Sequence, residues 1–426
     1  MKRKTRYAAM GVNLILVSAA MLQAKETDVS ATLHTIESED KAAAKVAEQN
    51  LMRAVHRAIG TDTQAKIVEQ LNEAVLNDDR QLATRRLCCE ALGFIGGDAS
   101  IGALYKAMNQ RELQDDARRA IERIPGSRAT RVLAAGLQIG EPPFKIALLN
   151  SLGRRGDETA VSAIIGYVHN DDDAVAQAAL HALANIPVPE STKTVREAFE
   201  DKRKGATDAL LKLAYRYLDE QDSIAALELL LELLGDESLT ISQRARWITA
   251  MGRAGGEIAM GQVMRALDEA DSHLYSAALE ACIHLPGVES TLTIARKMHA
   301  VEGKRRHDLL NVLAQRGDSM DQEISSMIRT VVEKGTAEDR VAAIRTVEAA
   351  QVDVALGVLI KTLDEEPGPV RDAAIHALYH MPGEFATKQI IYALRGKPGD
   401  KRELLTNILR HRAGDDAVAE LKKADK

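Results

Sequence analysis

Little in this chain can stack, stiffen or crosslink it. Aromatics make up 3% of its 426 residues, with one Trp and four Phe, and there are 10 prolines and three cysteines. The 46% apolar content is therefore carried mainly by Ala and Leu, a profile that favours helices packed closely together over sheets. Cys88 and Cys89 are adjacent; on a helix their Cα atoms stand about 3.8 Å apart and their side chains diverge by about 100°, which excludes a bridge between them. No Gly-x-Ser-x-Gly, Gly-rich phosphate loop, His-Glu-x-x-His or Cys-x-x-Cys-His is present, so no catalytic residue, cofactor or metal site is expected. The net charge of −6 argues against a phosphate-backbone binder, and no nucleic-acid partner is expected.

What is present is a repeat. Aligning helix ends places Leu92, Ile121, Leu152, Leu183, Met251, Cys282, Leu313, Leu378 and Leu409 at one position, with Tyr215 and Val347 as looser members. The successive spacings are 29, 31, 31, 32, 36, 31, 31, 34, 31 and 31 residues. Each period reads as an apolar helix, a short turn with Gly or Pro, and a second apolar helix. A unit of this size cannot bury its apolar face alone, so stacking must create the core, and the chain is expected to be a solenoid. Cys282, at a core position, is read as a small hydrophobe, and all three thiols as reduced.

The writing of the repeat is visible in its first helices. Val175, Ala178, Ala179, Ala182, Leu183 and Ile186 are reproduced without a shift by Val370, Ala373, Ala374, Ala377, Leu378 and Met381, the period of one buried helix face. Helices end at Gly96-Gly97, Pro125-Gly126, Gly156, Pro187, Gly255-Gly256, Pro286-Gly287, Gly317, Pro382-Gly383 and Gly414, residues that stop a helix cheaply. A longer period also shows: 146–152, 307–313 and 402–409 are versions of one helix, each following a unit whose turn contains Pro. Residues 192–242 are less regular. Polar end helices, 41–59 and the C-terminal one ending in Lys426, suit capping.

The N-terminus reads differently. Lys2-Arg3-Lys4-Thr5-Arg6 precedes an apolar stretch from Ala8 to Leu22, shorter than the ~20 apolar residues that span a bilayer and arranged as a secretory signal peptide. Residues 1–24 are that expected signal, with cleavage after Ala20 or Ala24. Its loss removes four basic residues and no acidic one, taking the charge from −6 to −10. Residues 25–40, polar and without period, are read as a flexible leader, and 41–426 as the array. The mature protein is expected to be exported, periplasmic or extracellular, with no membrane span.

Ala91-Leu92-Gly93-Phe94-Ile95-Gly96-Gly97-Asp98, Leu152-Gly153-Arg154-Arg155-Gly156-Asp157 and Leu313-Ala314-Gln315-Arg316-Gly317-Asp318 resemble the turn region of short bacterial HEAT-like repeats, including those of PBS-lyase proteins. The resemblance covers the chain from about Lys41 onward. It implies an all-α, right-handed solenoid of about 11–12 helical hairpins, whose second helices line a concave face used for binding, usually of proteins. The family's bilin-lyase branch implies an alternative, a lyase-like or enzyme-accessory protein holding a small ligand in the groove; a structural envelope component is a third reading.

Individual candidates for chemistry have plainer explanations. Arg155-Gly156-Asp157 and Arg316-Gly317-Asp318 spell an adhesion tripeptide, yet Gly ending one helix and Asp capping the next explains both; Arg412-Ala413-Gly414-Asp415 keeps the turn and loses the tripeptide. His376 and His380, four apart, supply two metal ligands without a third. Asp171-Asp172-Asp173 suits a helix N-terminus. Trp247 fits either a binding anchor or the core. The basic clusters 202–204 and 304–307 read as solvated helix ends. The expected function is a non-catalytic scaffold that binds a protein or peptide partner on its concave face.

Overall fold

Alanine-rich helix faces leave helices room to approach, and the chain uses that room throughout. A computed structural model describes residues 28–316, 320–394 and 400–424; among these there are 24 α-helices and no strand. The chain divides into two compact units, Met1–Leu213 and Ala214–Lys426.

In the first unit, α1 (Val29–Ile36) precedes the helical hairpins α2 (Lys41–Ala58) with α3 (Gln64–Leu76), α4 (Leu82–Ile95) with α5 (Asp98–Met108), and α6 (Gln114–Arg123) with α7 (Ser127–Gly136). These are followed by α8 (Pro142–Arg155) with α9 (Val161–Ile165) and α10 (Asp173–Leu183) with α11 (Pro189–Glu200). The division between units falls inside α12 (Ala206–Asp219), which pairs in sequence with α13 (Ser223–Glu232). This is the stretch whose spacing is irregular, and it contains two left-handed non-glycine residues, Lys202 and Gln221.

The second unit continues with α14 (Ile241–Ala254) and α15 (Glu257–Ala266), α16 (Ser272–His284) and α17 (Val288–Ala300), and α18 (Lys304–Gln315) and α19 (Gln322–Lys334). Then come α20 (Ala337–Ala349) and α21 (Leu356–Thr362), α22 (Pro369–His380) and α23 (Glu384–Leu394), and the terminal α24 (Asp400–Ala424). Eleven hairpins, α2 to α23, thus lie between α1 and α24 among the described residues, in agreement with the expected number.

The repeat register is the core. All nine firm register residues, Leu92 to Leu409, are fully buried, and so is Val347; only Tyr215 is half-exposed, its hydroxyl donating to the Arg246 carbonyl at 2.8 Å. Successive first helices meet almost backbone to backbone. A Cβ on Gly252 would lie 2.5 Å from Ala281 Cα, and one on Gly153 would lie 2.8 Å from Ala182 Cα, so glycine is what permits that approach. Asp is the recurrent N-cap: Asp28, Asp40, Asp172, Asp271 and Asp321 each accept from backbone amides of the helix they start, satisfying donors that the first turn leaves free.

One expectation is corrected. The segment 25–40 was expected to be a flexible leader, yet α1 lies within it, capped by Asp28 and seated on α2 through Val29 and Leu33, which are 0% and 1% exposed. Two buried apolar residues four apart suffice when a neighbouring helix supplies the other side of the contact; the alternation is too short to register as a period. The expected signal peptide, 1–24, lies outside the described residues. No helix among the described residues is long and apolar enough to cross a membrane.

Candidate protein-interaction surfaces

The most polar groups of the array are spent inside it. Arg155, at the end of α8, reaches back to the turn of the preceding hairpin and donates to the carbonyls of Ile121, Glu122, Ile124 and Gly126 at 2.6–3.3 Å and to Thr130 Oγ1 at 3.0 Å. Arg316 repeats the arrangement on Cys282, Ile283, Leu285, Gly287 and Thr291. Arg412 donates to the carbonyls of Leu378 and Gly383 and to Thr387 Oγ1. The last carbonyls of a helix have no partner within it, and a planar five-donor guanidinium can serve several at once. Burial pulls the Arg155 and Arg412 guanidinium groups below their ordinary range.

The first clamp accounts for the tripeptide at 155–157. Arg155 points into the neighbouring turn, Gly156 ends α8 in the left-handed conformation at φ 65°, and Asp157 accepts from Thr159 N and Thr130 Oγ1. Gly317 and Asp318 lie outside the described residues. Sequence reasoning missed the arginine, although a signal was available: Arg155, Arg316 and Arg412 each stand 30 residues after the Pro of a Pro-Gly pair, at 125, 286 and 382. The longer period in the sequence is therefore the period of a clamp and the turn it fills.

The remaining candidates are absorbed likewise. Asp172 caps α10 through Ala174 N and Val175 N. Trp247 is 9% exposed and donates from Nε1 to the Leu230 carbonyl at 2.8 Å; it belongs to the core. Of the 304–307 cluster, Arg306 and His307 both hold the Asp339 carboxylate, at 2.6 and 2.8 Å, and Arg305 donates to the carbonyls of Leu267 and Glu269. Asp339 is 2% exposed. Burial would raise its carboxyl, but hydrogen bonds from His307 and Arg306 and the Arg306 charge outweigh that and hold it below the usual range. In 202–204, Arg203 is directed to the Val168 carbonyl at 3.5 Å, while Lys204 lies 3.9 Å from Asp173.

His376 and His380 stack at 4.4 Å between ring centroids, with Glu348 at 3.1 Å from His376 Nδ1 and His411 at 6.1 Å from His380. Among the described residues no group of three or more His, Cys, Asp or Glu side chains is arranged to hold a metal ion. The three cysteines are free and buried, and burial pushes each thiol up to about 12, which leaves essentially no thiolate for chemistry at neutral pH.

Two exposed surfaces stand out. The first is an exposed ridge on the first helices, two residues before the buried register position. There Glu90, Arg119, Asn150 and His181 follow one another in the first unit, and Glu280, Asn311, Arg345, His376 and Asn407 in the second, all exposed. Beside the first set, Phe94 is 40% exposed and lies between His56, at 5.1 Å, and the Arg123 guanidinium, at 4.7 Å. The second is a groove of about 730 Å³ between α3 and α5, floored by Val68, Leu76 and Ile95.

Residues 130–213 match the family model described as HEAT repeats. Among solved structures, Kap121p bound to Nup53p is similar at 11% identity and a TM-score of 0.53, over 96% of this chain and 52% of that one. Kap121p bound to Ste12p gives 10% and 0.53 over 92% and 50%, and the karyopherin Kap121p bound to the extreme C-terminus of the protein phosphatase Cdc14p gives 11% and 0.51 over 96% and 53%. No curated protein matches. The chain spans about half the length of these structures, and at such identity the likeness is one of fold. The fold is thus an all-α solenoid of stacked helical hairpins, of which residues 130–213 match HEAT repeats.

Proposed function

We propose that this chain is an exported, non-catalytic scaffold that binds another protein or peptide along the first-helix face of its hairpins. The observation that carries the reading is a contrast within most of the first helices. In nine of these helices the register residue is apolar and fully buried while the residue two positions earlier is exposed and varies among Glu, Arg, Asn and His; α12, with Leu213 buried and Tyr215 half-buried, and α14, with Thr249 half-buried, depart from the pattern. A surface whose frame is constant and whose outward residues vary suits recognition by complementarity. The likeness to Kap121p, solved with Nup53p and with Ste12p, supports the same use of the fold.

The reading places the face on the first helices, where the family resemblance implied the second. Within each unit the first helices pack on one another more extensively, with the Gly153–Ala182 and Gly252–Ala281 approaches at their centre. A two-layer stack bends toward its tighter layer, which supports the first helices as the inner face. The basic and apolar start of the chain supports export.

Affinity capture from the native envelope fraction tests the reading, with wild-type chain beside a Glu280→Arg, Arg345→Glu variant. One stoichiometric protein retained by wild type and lost by the variant is the expected result. Retention of a small or coloured ligand alone would overturn it. Mass spectrometry of the native protein is expected to find a start at Met21 or Lys25; an intact Met1 form in the cytosol would overturn export.

A further inference from the structure

The groove between α3 and α5 stands on the opposite, second-helix side of the array and has an acidic rim. Its floor is apolar: Val68 and Ile95 are buried and Leu76 is half-buried, so a wall of hydrocarbon faces the opening. Asp62, Glu69, Glu73 and Asp98 line the rim. None of the four makes an ion pair or side-chain hydrogen bond with a described residue, and no Lys, Arg or His lines the groove. Glu69 and Glu73 sit one turn apart on α3, an arrangement of like charges that a helix does not favour by itself. Glu122, by contrast, is paired with both Arg118 and Arg154. Asn72 adds a further acceptor at this surface: its Nδ2 donates to the Ala99 carbonyl at 3.3 Å, while its Oδ1 has no partner.

We propose that this groove docks a cationic amphipathic peptide segment of a partner protein, with apolar side chains on Val68, Leu76 and Ile95 and Lys or Arg side chains on the four rim carboxylates. Apolar burial supplies the contact and charge complementarity selects the partner. This is a second site, on a different layer from the first-helix ridge.

The test uses the full chain and three labelled synthetic peptides followed by fluorescence anisotropy: one amphipathic and built from Leu and Lys, one with Glu in place of Lys, and one with Ser in place of Leu. The Leu–Lys peptide alone is expected to bind, more weakly as salt rises. Glu69→Lys with Glu73→Lys is expected to weaken it about tenfold or more, the effect of reversing two rim charges. Both side chains are exposed and unpartnered, so unchanged thermal unfolding verifies that this variant folds. Equal binding of the Ser–Lys peptide would reduce the site to diffuse attraction and overturn the proposal, as would undiminished binding by the variant or no binding at all. The Glu280→Arg, Arg345→Glu variant is expected to bind the peptide normally, so failure of the ridge reading and failure of this one are told apart.

Discussion

The turn at Pro125-Gly126 and the turn at Gly96-Gly97 face the same problem, a helix end whose carbonyls have no internal partner, and they meet it differently. At the first, Arg155 of the next hairpin fills the turn and takes up four carbonyls. At the second, Arg123 of the next hairpin packs over Phe94 and no described arginine is seen donating to the helix-end carbonyls; Gln64 Nε2 donates to the Ile95 carbonyl at 2.9 Å, and the α3–α5 groove opens beside it. The comparison separates two fates of polar groups at a joint. Where a charged side chain closes a joint its charge is consumed, and where the joint is left open the surface keeps unbalanced carboxylates.

Removing a clamp should break the comparison most strongly. Arg316→Ala leaves the carbonyls of Cys282, Ile283, Leu285 and Gly287 without their donor, and is expected to destabilise the chain by about 3 kcal/mol or more in denaturant unfolding. Arg316→Lys should recover less than half of that, because an ammonium cannot reproduce the planar fork. Equal stability of both variants with wild type would show the clamp to be incidental.

The Asp339 joint should respond to pH. Its carboxyl is held below the usual range in the folded chain, so its contribution is present above the unfolded pKa and is lost as pH falls through the folded one. Unfolding midpoints below about pH 4 should therefore drop for wild type. Asp339→Asn should cost about 2–3 kcal/mol at neutral pH, leaving Arg306 and His307 without their anion, and should flatten part of the acid limb. An acid limb identical in the two proteins would remove Asp339 as its source.

The glycines sharpen the contrast at smaller scale. Gly126 has φ 94°, and no atom stands where a Cβ would go, so Gly126→Ala should cost about 1–3 kcal/mol from backbone strain alone. Gly97→Ala, at φ −151° with open space around it, should change stability by about 0.5 kcal/mol or less. The smallest effect is chemical: iodoacetamide at neutral pH should leave Cys88, Cys89 and Cys282 unmodified in the folded chain and label all three after denaturation.

How much of this was legible follows from which interactions are local. The register from Leu92 to Leu409 could be read because a buried helix position demands an apolar residue each time it recurs. Asp172 could be read as a cap because its partners are two and three residues away. Arg155 could not be read as a clamp from its own surroundings, since its partners lie 25–34 residues earlier; only the constant distance from the Pro-Gly pairs carried a trace of it. The helix at Val29–Ile36 was missed because its two apolar contacts gain meaning only against α2.

Periodicity, small side chains and helix punctuation were enough to determine a stack of helical hairpins, because each of those signals acts within one turn or one hairpin. The tertiary structure alone decided which charges are consumed and which remain. That outcome depends on what a neighbouring hairpin presents across the joint: a guanidinium at Pro125-Gly126, and the bare carboxylates of a groove beside Gly96-Gly97.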